Sequence, residues 1–237
     1  MGVGGKLLDK AGMVIATEQG KMKRWEEHFK DILNRPDPQV FQEIPPKCED
    51  IEMDTGAIRL HEVEDAIRMM KKGKAPGDDK ITADMLKANT ALSARILHPL
   101  LNKVWNKETT PKDFRNGTII TLPKKGDLRK CDNWRGITLL SVPGKVLCRI
   151  IYSRIRTFLE KILNEDQAGF RRERSCTDHI FVMRTIIEQA LEWNATVYLH
   201  FIDFEKAFDS VHQETMWRIL KSYGIPEKVV SIIKKLI

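Results

Sequence analysis

The stretch that most restricts the fold is Thr196–Phe204, TVYLHFIDF. Its apolar residues fall on both sides of a period-two alternation, so it reads as a strand covered on both faces. Such a strand needs a neighbouring strand for its backbone groups and apolar layers above and below for its side chains. The residues that follow return to helical spacing up to Gly224 and Pro226, which predicts a helix from about Lys206 to Tyr223. Asp203 stands at the junction. A carboxylate at the end of a buried strand is costly unless a cation or hydrogen-bond donors satisfy it. It could equally cap the following helix through backbone amides. Spacing leaves both roles open. Glu205 and Asp209 read as ordinary acids of a first helical turn.

The rest of the chain is richer in helices than in strands. GKLLDKAGMVIA alternates about a DKAG turn and predicts a short hairpin. Thr17 can cap a helix carrying Met22, Trp25, Phe29 and Ile32 or Leu33 on one face, ended by Pro36 and Pro38. Pro36 to Thr55 is acidic and irregular, the best boundary candidate. Leu60 to Lys72 reads as a helix with Val63, Ala66, Ile67 and Met70 inward, followed by the turn GKAPGDDK. Two helical stretches run from Thr82 to Lys107, the second with Ile96, Leu97, Leu100, Leu101, Val104 and Trp105 as core. From Gly117, GTIITL and ITLL predict two strands joined by the basic loop LPKKGDLRKCDNWRG. Helices are expected from Pro143 to about Leu163, from Thr177 to Trp193 with Ile180, Met183, Ile186 or Ile187 and Ala190 inward, and from Glu227 onward. The class is α+β, helix-rich, with few partners for its central strands.

Composition matters here for charge. The net charge is +7, yet Lys112 to Arg174 holds fifteen Lys/Arg against seven Asp/Glu, a surplus of eight. All the excess positive charge therefore sits in mid-chain, which points to a polyanionic partner; a merely solvated basic face is the plainer reading. Cys48, Cys131, Cys148 and Cys176 form no CxxC pair, so they read as reduced structural thiols. The six histidines show no ligand spacing. No apolar run approaches the ~20 residues of a membrane span, and MGVGGKLLDK lacks a secretory apolar stretch. A soluble intracellular protein, in cytoplasm or nucleus, is expected.

Four segments in order sharpen this picture. FIDFEKAFDSV resembles motif A of reverse transcriptases, in the form found in non-LTR (LINE-type) retrotransposons, RTE-like elements in particular. KAPGDDKITADMLK (Lys74–Lys87) resembles the upstream APG-D segment. Phe114–Ile155 resembles the fingers hairpin and helix of motifs 1 and 2. NEDQAGFRRERSCTDHI (Asn164–Ile180) resembles the Q-x-G-F-R block that precedes motif A. The similarity runs from about Leu60 to the end, and less specifically over Gly5 to Pro38.

The resemblance implies right-hand polymerase fingers with part of a palm over 60–237, preceded by an extension or linker over 1–59. It implies an RNA-directed DNA polymerase adding dNTPs to a primer 3′-hydroxyl on an RNA template. Asp203 and the Phe204 carbonyl would ligate Mg²⁺, since two-metal chemistry activates the hydroxyl and neutralises the triphosphate. Lys124, or Lys125 in its place, and Arg135 would contact dNTP phosphates; Arg suits bidentate recognition and Lys acts as a point charge. Phe208 would be the aromatic gate beneath the sugar. Gln167, Gly169, Phe170 and Arg171 would support the template, with Arg171 on a backbone phosphate. No Y/F-x-D-D pair of a motif C hairpin follows Phe208, so the chain is expected to be truncated before its active site is complete and inactive alone. A non-catalytic nucleic-acid-binding remnant and an intron-maturase-like protein are the rival readings.

Overall fold

A computed structural model describes residues 6–38, 43–44 and 51–237, so much of the expected boundary between Pro36 and Thr55, with Cys48, lies outside the described residues. Strands β1 (Leu7–Leu8) and β2 (Val14–Ile15) form the expected N-terminal hairpin. Helix α1 (Glu18–Leu33) follows, its first turn closed by Thr17 Oγ1 accepting the Gly20 N–H at 3.1 Å. Helices α2 (Leu60–Met69), α3 (Ala83–Ala88), α4 (Thr90–Lys107) and α5 (Lys112–Arg115) lead into antiparallel strands β3 (Gly117–Pro123) and β4 (Trp134–Leu140). After them come α6 (Val142–Ile162), α7 (Cys176–Glu192), α8 (Gln213–Ser222) and α9 (Glu227–Lys234).

The main core is built by α2, α4 and α6, whose apolar faces meet as the helical spacing requires. Val63 and Ile67 of α2, Leu101, Val104 and Trp105 of α4, and Val146, Leu147 and Ile150 of α6 are almost completely excluded from water. Each such aliphatic side chain contributes about 1.5–3 kcal/mol on burial. Ile51, Ile58, Trp217 of α8 and Val229, Val230 and Ile232 of α9 complete the cluster. Ser141 sets the start of α6, its Oγ accepting the Gly144 N–H at 3.2 Å with Pro143 in the first turn. Gly77, in the turn after α2, lies so close to the end of β4 that a Cβ would stand 2.7 Å from the Ser141 nitrogen.

A second, smaller cluster joins Leu7, Trp25 of α1 and Cys131, with Phe29 and Trp134 against it. Gly136 of β4 makes this approach possible, since a Cβ there would meet Phe29 Cε1 at 2.5 Å. The Leu8 N–H also donates to the Arg129 carbonyl at 2.9 Å, fastening the N-terminal hairpin to the β3–β4 loop.

Several expectations fail in instructive ways. Thr196–Phe204 does not form a strand, and it is not buried: Phe201 is 75% exposed and Ile202 76%. Among the described residues each of the two sheets consists of only its two hairpin strands, so no ladder receives this segment. α7 forms where periodicity placed it, but Ile180, Met183, Ile186, Ile187 and Ala190 are not buried, because among the described residues no element covers that face. α8 starts at Gln213, with residues 205–210 in turns before it. Glu205 and Asp209 are therefore not first-turn acids. On α1 the buried residues are Trp25 and His28, and Met22 is 70% exposed, because the small cluster reaches only one side of the helix. Ile96 and Leu100 likewise face outward on α4.

Candidate nucleotide cleft

The β3–β4 register fixes where its basic residues stand. Leu122 pairs with Arg135 and Pro123 with Trp134. Just past the pair, the Lys124 N–H donates to the Asn133 carbonyl at 2.7 Å, and its Nζ donates to the Asp132 carbonyl at 2.9 Å. Lys124 is thereby drawn toward the root of the hairpin. Lys125 remains exposed in the loop. Arg129 is engaged within the loop by Asp127, at 2.9 Å, and its hydrogen bonds hold the Asp127 carboxyl below the usual carboxylate range.

The Asp203–Asp209 segment lies against that root, and between them opens a cleft of about 540 Å³. Lys124, Arg135, Asp203 and Phe204 all line it, together with Asp132, Glu205, Lys206 and Asp209. Apolar Phe29, Ile32, Ile119 and Trp134 form the wall. Residues far apart in sequence thus converge on one concave site, with three cations facing four carboxylates. Asp132 is the meeting point: its Oδ1 is 3.7 Å from Lys206 Nζ and 3.8 Å from His28 Nδ1. His28 is buried against Trp25 and Phe29, and that burial pushes its pKa down against the opposing pull of Asp132. A larger groove of about 2130 Å³ shares the Phe29, Ile119 and Trp134 wall and runs along α1.

Asp203 is exposed at the edge of the cleft, where the sequence led one to expect a buried carboxylate; among the described residues no ladder receives residues 196–204 and no layer covers them. Among the described residues no group of three or more His, Cys, Asp or Glu side chains converges closely enough to hold a metal ion. The carboxylates present do not by themselves fit a Mg²⁺ centre.

The template candidates occupy the turn after α6. Gln167 and Gly169 are exposed, and Phe170 takes a left-handed backbone (φ 62°) and is 88% exposed. That ring meets Phe208 edge-on, centroids 5.7 Å apart, so the turn abuts the segment carrying Asp203. Phe208 itself does not line the cleft. Arg171 differs from expectation. Its side chain is 8% exposed, with Nε donating to Glu160 Oε2 at 3.0 Å and Nη1 to the Asn164 carbonyl at 2.7 Å. A guanidinium so engaged braces the turn against α6 and is not presented to a template phosphate. Asp132 and Lys206 escaped sequence reasoning; their one signal was proximity to motif residues.

Residues 122–237 match the family described as reverse transcriptase (RNA-dependent DNA polymerase). The chain is 29% identical over 75% of its length to an uncharacterized 149 kDa protein of transposon TX1 from Xenopus laevis, covering 14% of that protein. It is 32% identical over 72% of its length to the Pol polyprotein of type-1 retrotransposable element R2 from Popillia japonica, covering 23%. To the RNA-directed DNA polymerase of mobile element jockey from Drosophila melanogaster it is 25% identical over 75%, covering 20%. The chain thus spans under a quarter of the length of these relatives.

Proposed function

We propose, for a chain that belongs to the reverse transcriptases of non-LTR retrotransposons, that the cleft between the hairpin root and Asp203–Asp209 receives the triphosphate of an incoming dNTP. The convergence of Lys124 and Arg135 with Asp203 on one concavity carries this reading. Arg135 supplies a planar set of donors suited to phosphate oxygens, and Lys124 a mobile ammonium. The apolar Phe29–Trp134 wall lowers the local dielectric, which strengthens each charged contact. Lys125 serves the entry path from the exposed loop. Phe208, packed on Phe170, ties the segment that carries Asp203 to the template turn of Gln167, Gly169 and Phe170, and Arg171 fixes that turn in place.

In this reading residues 60–237 are fingers and the first palm elements, and 1–59 an extension that packs α1 on the hairpin root. The complete domain copies an RNA template onto a DNA primer. The family uses Mg²⁺; Asp203 and the Phe204 carbonyl contribute to holding it only together with further carboxylates such as those of a motif C hairpin. The mid-chain surplus of eight positive charges supports a second reading, a binding module for nucleic acid without chemistry.

Fluorescence titration with a dATP analogue separates the two. Wild-type protein is expected to bind it, and Lys124→Gln/Arg135→Gln to bind about tenfold or more weakly. Equal binding by both proteins sinks the nucleotide site; RNA binding without dATP binding favours the module.

A further inference from the structure

Within the cleft, Lys206 has no role in the nucleotide reading above, yet its placement is unusual. It takes a left-handed backbone, φ 52°, which a residue with a Cβ adopts only at a cost. This conformation belongs to the turns over 205–210 that precede α8. The result is a side chain only 23% exposed, turned toward Asp132, whose own carboxylate is 74% exposed. Two ammonium groups therefore converge on one residue: Lys124 Nζ on the Asp132 carbonyl at 2.9 Å and Lys206 Nζ on its Oδ1 at 3.7 Å. The second separation is too long for a hydrogen bond, so the pair is a loose ion pair open to solvent and weakly held. From α1, His28 and Arg24 also act electrostatically around this point.

We propose that Lys206 is a third phosphate-binding cation of the cleft, and that Asp132 is its internal counter-ion, displaced when a nucleotide triphosphate enters. This rests on the reading of the cleft as a nucleotide site. A triphosphate oxygen near Lys206 forms a shorter, charge-assisted contact than Asp132 does. Swinging Asp132 outward also removes one of four carboxylates that repel the incoming anion. Asp132 is already mostly in water, so its release costs little desolvation. The exchange makes Asp132 a brake on affinity and Lys206 a contributor to it. The two effects are coupled.

Calorimetric titration of the whole chain with sodium tripolyphosphate and with dATP tests this. Lys206→Gln is expected to weaken both ligands about tenfold. Asp132→Asn is expected to tighten both about threefold, and to tighten them less in the Lys206→Gln background, where only the relief of anion repulsion remains and Lys206 is no longer there to be released. Lys206→Arg should keep affinity within about threefold, which separates charge from a structural role. Wild-type affinity in Lys206→Gln, or no tightening in Asp132→Asn, overturns the proposal. If Lys124→Gln/Arg135→Gln is still weakened in that case, the nucleotide site stands without Lys206. If that double variant also binds like the wild type, the nucleotide reading falls and takes the proposal with it. Because Asp132 is exposed, Asp132→Asn should fold normally, and an absence of tightening in it overturns the proposal even if Lys206→Gln does not fold.

Discussion

Arg154, on α6, gathers its neighbours in a way no local pattern announces. Its Nε and Nη2 donate to the two Glu62 oxygens, both at 2.7 Å, and the remaining donors reach the carbonyls of Asp54, Gly56 and Ala57. The guanidinium also stacks on Trp105, 4.8 Å from its centroid, and is only 5% exposed. One side chain thus closes the segment before α2 onto the core. Arg154→Met should cost about 3–5 kcal/mol, since it strands Glu62 and three carbonyls. Glu62→Gln should cost less, because the carbonyl acceptors remain; denaturant melts compare the two, and equal costs would contradict this account. For Glu62, burial pushes the pKa up, but hydrogen bonds from Arg154 and the Arg59 N–H outweigh it and leave the pKa lowered. A depressed carboxylate stabilises fully above its unfolded pKa of about 4.5 and loses that contribution as pH falls through the lower folded value. Glu62→Gln should therefore flatten the acid limb of the stability profile below about pH 4.5. Arg171 teaches the same lesson: a basic residue in a nucleic-acid motif can be bound internally, and its charge is then unavailable to a phosphate.

At the scale of elements, α6 and Thr196–Phe204 make opposite cases. α6 buries Val146, Leu147, Ile150, Ile151 and Ile155 along one face, and its hydrogen bonds lie within the helix itself. A strand has no such self-sufficiency. Its amides need a neighbour, and Thr196–Phe204 has none among the described residues. Amide hydrogen exchange should therefore be faster over residues 196–204 than over 146–151 by a factor of about a hundred or more. Comparable protection in both segments would mean that residues 196–204 are paired in solution. The uncovered face of α7 has the same origin: an amphipathic helix forms from local propensity, but its burial requires a second layer.

For the whole molecule the controlling quantity is the clustered charge. Lys124, Lys125 and Arg135 lie on or beside one hairpin, held in register by β3 and β4. If this hairpin carries contacts to single-stranded RNA, replacing all three with Gln should reduce the slope of log K against log salt by about two. An unchanged slope assigns the contacts elsewhere. Helices α2, α4 and α6, the β3–β4 hairpin and its basic loop could be read directly from residue order. Their signals are local: apolar spacing near 3.6, β-branched runs, and caps such as Thr17 and Ser141. Motif resemblance likewise marked Lys124, Arg135 and Asp203. Sequence could not decide which cations and carboxylates would meet, that Arg171 would turn inward, that α8 would start at Gln213, or that Asp203 would lie exposed. Ion pairing and burial depend on distances between elements far apart in the chain, and a strand exists only through its partner. The three-dimensional packing alone fixes these.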